Sequence, residues 1–325
     1  MKSGFPFIRT WVMFGAWLVA TLLAALASTS AAPFAAHRQP AKPRATTQPA
    51  PLPATVAWRE DRRGLCLTAW VNDAGPFNFV IDTGAGVTLL SPRVARRAGV
   101  TDTGQILVLQ GTGRGLGIPQ PLVTARTLAI GTPDNRLPRT GRMVIADRLP
   151  SDVDGVLDPT EVFADVGYEI DFPNQTLSPL NRQAQVDGIP LRWLPESNGR
   201  RPFVRVGRHE AALIDTGSSF GLAIPASKAA TFGIQDARRA PSRSVQDVAG
   251  NAFWVARVAP TSVWLESLYL EKIPTDLLHG ADTTAPPLLG RAALRPFRIR
   301  FDLRQRSLTF VLPVSQRTQH SLERD

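Results

Sequence analysis

From Cys66 onward the chain is made of short runs of β-branched and aromatic residues, each closed within a few positions by Gly, Pro, Asn or Asp. Such side chains pack on a pleated surface and such punctuators turn the chain, so the pattern predicts a mostly β fold with few short helices. The pattern fails at both ends. Trp11 to Ala27 is a run of seventeen residues without a charge; Lys2 and Arg9 precede it and Ala25-Leu26-Ala27 closes it. Residues 1–31 therefore read as a secretory signal peptide or, at the lower length limit for a span, an N-terminal membrane anchor. Residues 32–56, with six prolines from Pro33 to Pro53, read as a Pro/Ala-rich linker without enough apolar surface to order itself. Residues 314–325 read as a polar tail. The body is expected to be exported, periplasmic or secreted, or held at the inner membrane.

Within the body the pattern occurs twice. Phe79-Val80-Ile81-Asp82-Thr83-Gly84-Ala85-Gly86 matches Ala212-Leu213-Ile214-Asp215-Thr216-Gly217-Ser218-Ser219. Leu89-Leu90-Ser91-Pro92 aligns with Leu222-Ala223-Ile224-Pro225, and each is followed by a stretch that closes at Gly99 or Gly233, which predicts a short helix with Pro at its start and Gly at its end. Tyr168-Glu169-Ile170-Asp171-Phe172 then echoes Arg298-Ile299-Arg300-Phe301-Asp302. Three matches at nearly one offset imply a duplicated unit. It divides the body into an N-terminal lobe at 57–185, an inter-lobe connection at 186–200 and a C-terminal lobe at 201–313.

These residues resemble the two-lobed aspartic proteases of the pepsin and retropepsin type, in which each lobe supplies one hydrophobic-hydrophobic-Asp-Thr-Gly loop and a later hydrophobic-hydrophobic-Gly strand. Leu288-Leu289-Gly290 matches that later strand in the second copy. The resemblance implies a bilobal pepsin-like acid protease fold, two pseudo-twofold-related β-barrel-like lobes with the site between them. It also implies that Asp82 and Asp215 are the catalytic pair, that Thr83 and Thr216 lock the two loops together, and that Gly84 and Gly217 permit the tight turn. A third copy, Asp102-Thr103-Gly104, has no apolar strand leading in and reads as a polar turn after a helix.

Peptide hydrolysis without a covalent nucleophile needs one carboxylate to take a proton from water while its partner donates one to the carbonyl oxygen. Two carboxylates about 3 Å apart repel by roughly 5 kcal/mol at an effective dielectric near 20, so they share a single proton and titrate as a unit. The residue three beyond each aspartate tunes it: the Ser218 hydroxyl is expected to donate to Asp215, whereas Ala85 has nothing to offer Asp82. A mildly acidic optimum follows. Gly111-Thr112-Gly113-Arg114-Gly115, after the strand Ile106 to Leu109, reads as a mobile flap of the retropepsin kind, since neither Tyr168 nor Tyr269 is placed to serve as a flap tyrosine. Gly155-Val156-Leu157-Asp158 departs from the pattern by carrying Asp158 where glycine is expected. Its carboxylate sits close to Asp82 and raises the pair's proton affinity, or the loop bulges outward at Pro159; the sequence leaves both open.

Competing chemistries fare less well. Gly217-Ser218-Ser219-Phe220-Gly221 fits a nucleophile-elbow pattern with Ser219 as nucleophile, but the only histidines after it are His279 and, in the polar tail, His320, and the mirrored Asp-Thr-Gly pair would go unexplained. Four dispersed histidines and a single cysteine, Cys66, make no metal-ligand spacing and no internal disulfide. No metal or cofactor is expected. The aromatic residues Trp193, Phe253, Trp254 and Trp264 read as core or inter-lobe packing. The formal charge of +10 would suggest a nucleic-acid partner, but residues 1–56 carry five basic and no acidic residues, leaving 32 basic against 27 acidic in the remainder. The expected partner is instead an extended peptide or unfolded protein, bound by a monomer because both lobes lie in one chain. The alternative of a different class is a catalytically silent periplasmic peptide-binding or assembly protein that retains the fold.

Overall fold

The computed structural model describes residues 52–112, 117–195, 200–235, 243–247 and 250–312. The leader, the linker up to residue 51 and the polar tail lie outside the described residues, as do Gly113, Arg114 and Gly115 of the expected flap.

The chain is mostly β, with few short helices. Leu65–Val71 and Ala74–Ile81 pair antiparallel through the two-residue turn Asn72-Asp73. Both turn residues have positive φ, 49° and 64°, a conformation that Asn and Asp tolerate and that suits the twist of a tight hairpin. The Asn72 carboxamide fixes the turn, donating to Ala98 O at 2.9 Å and accepting from Arg126 N at 2.6 Å.

Two sheets carry the duplicated unit. In the first, the strands run in the order Leu65–Val71, Ala74–Ile81, Gly155–Leu157, Thr88–Leu90, Met143–Ile145, Ile118–Thr124 and Thr101–Leu109. In the second the order is Phe203–Val206, Glu210–Asp215, Leu288–Gly290, Leu222–Pro225, Thr275–His279, Ala252–Arg257 and Arg243–Gln246. The two orders correspond strand for strand. The register adjusts the sequence alignment, because Thr88 stands opposite Met143 whereas Leu222 stands opposite Thr275. The loop after the second aspartate is therefore one residue longer, and Leu222 corresponds to Thr88 rather than to Leu89.

A third sheet is assembled from both copies. Tyr168–Asp171 pairs antiparallel with Arg298–Asp302, so the two echoing segments lie side by side with Glu169 opposite Arg300. Equivalent residues thus face each other, which places a local two-fold axis at this pair. Around it Tyr168 stacks on Phe301 at 4.4 Å and Trp193 meets the same ring edge-on. Burying such aromatic rings contributes about 2–3 kcal/mol each.

Several expectations change. None of the sheets closes into a barrel; the first ends on one side at Arg59–Glu60 and on the other at Thr101–Leu109, and these edges do not pair. The expected inter-lobe connection contains a strand, Ile189–Arg192, bonded along Ser307–Val311. The last residue of the expected linker, Val56, is buried in Val56–Ala57, which pairs with Thr176–Pro179. Asp102-Thr103-Gly104 is not a turn after a helix but an exposed irregularity inside Thr101–Leu109, where Gly104 takes φ 71° and donates to Asp102 Oδ1. Trp193 and Phe253 are buried as expected, whereas Trp254 and Trp264 are about half exposed, because both fall on the outward side of strands whose alternate residues face the core. The helix Pro92–Ala98 forms as predicted, capped by Ser91 and closed by Gly99 at φ 57°. Its counterpart, Ala226–Phe232, is a 3-10 helix closing at Gly233.

Candidate active site

Asp82 follows the last residue of Ala74–Ile81, and Asp215 ends Glu210–Asp215. Each of these strands lies beside a parallel neighbour, Gly155–Leu157 or Leu288–Gly290, and Asp82 N donates to Leu157 O at 2.9 Å. Beyond the aspartates both loops turn inward and meet.

The meeting is reciprocal. Thr83 N donates to Thr216 Oγ1 and Thr216 N to Thr83 Oγ1, both at 3.1 Å. Each hydroxyl also crosses to the opposite strand, Thr83 Oγ1 to Ile214 O at 2.6 Å and Thr216 Oγ1 to Ile81 O at 3.0 Å. Both threonines are fully buried, so these four bonds satisfy groups that have no access to water. Here a hydroxyl is required, because it alone accepts from one amide and donates to one carbonyl.

The glycines serve a different purpose from the one expected. Neither Gly84 nor Gly217 has positive φ; each lies against the carboxyl of the opposite loop. A Cβ on Gly217 would stand 2.4 Å from Asp82 Oδ2, and one on Gly84 would stand 2.9 Å from the Asp215 carboxyl. The missing side chains are what bring the two aspartates together. The glycine whose backbone demands it is Gly86, with φ 71°, and beside it lies the Arg201 side chain.

The two carboxyls lie close enough to alter each other's proton affinity. Burial raises the proton affinity of both. Asp215 is raised the further, because the charge of Asp82 adds to the effect of burial. Asp82 is partly relieved by the Gly84 amide at 2.8 Å, the Gly217 amide and the Arg291 cation. One group is thus disposed to hold the proton and the other to be without it, while both keep a partly exposed face toward solvent. The expected Ser218 hydroxyl bond to Asp215 is absent: the Ser218 amide donates to Asp215 Oδ1 at 3.1 Å, and the hydroxyl instead accepts from Phe220 N at 3.4 Å. Ala85 supplies no side-chain bond, as anticipated; its amide turns back to Asp82 O.

Residues 67–157 match the aspartyl protease family model. The match spans the first loop with its parallel strand and supports a protease-type hydrolase. No curated protein matches the chain.

Sequence reasoning missed Arg291. Its guanidinium is buried and donates to Thr216 O at 2.9 Å, to Gly217 O at 3.0 Å and to Glu60 Oε1 at 3.0 Å, so it supports the second loop from below. Although burial raises the affinity of Glu60, hydrogen bonds from Arg295 and Arg291 bring its carboxyl below the usual range. The signal was an arginine immediately after an apolar strand, where a surface residue would be out of place.

The expected flap arms pair as Thr101–Leu109 with Ile118–Thr124. At the described edge of the tip, Thr112 O accepts from Asp282 N at 3.2 Å, and Gly111 lies against Asp247. A second hairpin, Arg243–Gln246 with Ala252–Arg257, holds the equivalent place in the other half, and Gly250 beyond its first strand lies against Arg148. Each hairpin end therefore touches the opposite half, an arrangement the sequence reading did not foresee.

Two other nucleophiles drop out. Ser219 precedes the strand Leu222–Pro225 instead of a helix, so no elbow forms. Cys66 is buried, and burial first, then the neighbouring Asp61, pushes its thiol up to about 11, away from the reactive thiolate.

Proposed function

We propose that this protein is an aspartic endopeptidase of bilobal, pepsin-like design, with Asp82 and Asp215 as its catalytic pair. The observation that carries the reading is the close approach of two carboxyls, each seated on the other loop's glycine and unequal in proton affinity. Asp82 takes a proton from water, and the resulting hydroxide attacks the peptide carbonyl carbon while Asp215 gives its proton to the carbonyl oxygen. Asp82 then delivers its proton to the amide nitrogen as the C–N bond breaks, and Asp215 recovers the proton from the diol oxygen. Atoms and charge balance, and no covalent enzyme intermediate is needed.

The hairpins Thr101–Leu109/Ile118–Thr124 and Arg243–Gln246/Ala252–Arg257 support an extended substrate, since main-chain groups at strand edges bind peptides by strand-like pairing and side-chain pockets select among them. Location beyond the cytoplasmic membrane, by a cleaved leader or an anchor, remains part of the proposal and rests on residues 1–31. Among the described residues no helix is long and apolar enough to cross a membrane.

The test is cleavage of a diverse peptide library across about pH 3 to 7, with a statine-type peptide as inhibitor. Wild type is expected to cut and to be inhibited, and Asp82→Asn and Asp215→Asn to lose at least about 10³-fold in kcat, since each removes one half of the acid–base pair. Retention of cutting by either variant would refute the roles assigned. Statine binding without any cutting would favour the silent peptide-binding alternative.

A further inference from the structure

The two halves part company just below the aspartates. Gly290 and Asp158 occupy equivalent places, each between a strand parallel to an aspartate strand and a short helix, Arg291–Leu294 or Pro159–Val162. In the second half this place is closed to side chains: a Cβ on Gly290 would stand 2.6 Å from Phe220 O and 2.9 Å from Ser218 Oγ. In the first half the loop above is one residue shorter and carries Ala85 in place of Ser218, and a complete aspartate side chain is buried there. The loop does not bulge at Pro159, which is buried as the first residue of its helix.

Asp158 is tied to the Asp82 loop on both sides. Its own amide donates to Thr88 Oγ1 at 3.2 Å, and the carbonyl of the preceding Leu157 holds the Asp82 amide. Asp158 Oδ1 accepts from the Thr160 amide at 2.9 Å and from the Thr160 hydroxyl. Oδ2 is buried without a partner, and so is the Tyr168 hydroxyl. The charged neighbours are Asp82 on the loop and Glu161 on the same short helix, the latter bound by Arg142 at 2.7 Å. Tyr168, on Tyr168–Asp171, contributes a neutral phenol. Burial first, then Glu161 and Asp82, pushes the Asp158 carboxyl up to about 7 against its bonds from Thr160.

We propose that Asp158 is a third carboxyl of this site, a positioning residue whose main chain helps seat the Asp82 loop and whose buried carboxyl, once ionised, strengthens the aspartate pair's hold on its shared proton. The proposal rests on Asp82 and Asp215 being the reactive pair. The proton that Asp158 loses goes to solvent, and the added negative charge opposes loss of the proton on Asp215. Asp158 therefore extends the active range upward without touching substrate.

Two variants test this: Asp158→Asn, which keeps the shape without the charge, and Asp158→Gly with Ala85→Ser, which installs the second half's combination. One readout is the unfolding midpoint as a function of pH. The folded-state affinity lies above that of the unfolded chain, so Asp158 lowers stability progressively as pH rises from about 4 to about 7. Both variants should lose that decline, and their midpoints should gain on wild type across this window. The second readout is the pH profile of kcat/KM and of statine-type peptide binding. The upper limb should fall, by an amount on the order of one unit, since removing a nearby unit charge at an effective dielectric near 20 changes a carboxyl's proton affinity on that scale. The lower limb should not move. A wild-type-to-variant difference independent of pH, or an upper limb that stays put, would overturn the proposal and leave Asp158 as a space filler. If wild type neither cuts nor binds, the proteolytic reading falls, while the unfolding comparison still upholds or overturns the ionisation of Asp158.

Discussion

The loop at Asp82 and the loop at Asp215 share a strand order, a threonine bond pattern and a glycine against the opposing carboxyl, yet their undersides are built on different principles. The second loop rests on a buried cation, Arg291, which spans Thr216 O, Gly217 O and Glu60. The first rests on Asp158, a neutral acid with one oxygen unpartnered. Symmetry is kept where two loops must meet and abandoned where each is supported alone. The consequence is electrostatic: from one side the pair meets a fixed positive charge, which lowers the proton affinity of Asp82, and from the other a carboxyl that can itself titrate.

Removing the cation is the most severe way to break this comparison. Arg291→Leu leaves two loop carbonyls without their donor and Glu60 with Arg295 alone, and loss of one partner of a buried pair costs about 3–5 kcal/mol. Unfolding by urea should show that loss. Arg291→Lys, which keeps charge but cannot span three acceptors, should recover only part of it. A loss below about 1 kcal/mol would mean that the second loop stands without its support.

The threonines sharpen the symmetric side. Thr83→Val and Thr216→Val keep the volume and remove one acceptor and one donor from a fully buried site, so each should cost about 1–3 kcal/mol with a parallel loss of kcat. The two losses are expected to agree, because each hydroxyl makes the same two bonds in mirror fashion. A clear inequality would show that the loops are not equivalent even where their bonds are.

Much of this architecture was legible in the residues. The two Ile-Asp-Thr-Gly loops and the echo of Tyr168–Asp171 in Arg298–Asp302 revealed the duplication, because a repeated motif keeps its spacing. Ser91 and Gly99 announced a helix through local backbone chemistry. What stayed hidden depends on contacts across the repeat. Nothing near Ile189–Arg192 in sequence indicates that it completes a sheet with Ser307–Val311. The role of Gly217 is invisible until Asp82, 135 residues upstream, is seen against it. Arg291 bonds two loop carbonyls, which leave no trace in side-chain patterns, and a carboxylate, Glu60, that lies far away in the sequence. The one-residue difference between the loops was obscured because Leu-Leu and Leu-Ala align equally well in either register, and only the strand pairing decides between them.

The smallest expected effect bears on the expectation that the structure overturned. A hydroxyl donating to Asp215 would stabilise its ionised form, so Ser218→Ala would raise that carboxyl's proton affinity and move the upper limb of the pH profile up. With the Ser218 amide as donor, the alanine variant keeps the bond that matters and loses only a 3.4 Å contact to Phe220 N. The expected cost is under about 1 kcal/mol, near the low end for a single weak hydrogen bond, with both limbs of the kcat/KM profile unchanged. Ala85→Ser in the first loop faces a different constraint, because the equivalent Ser218 Oγ lies 2.9 Å from where a Cβ on Gly290 would stand, and in the first half that place holds Asp158. If Ser218→Ala shifts the upper limb and Asp158→Asn does not, the hydroxyl tunes the pair and the asymmetry originates above the aspartates. The reverse result would locate it below them, in the exchange of glycine for aspartate.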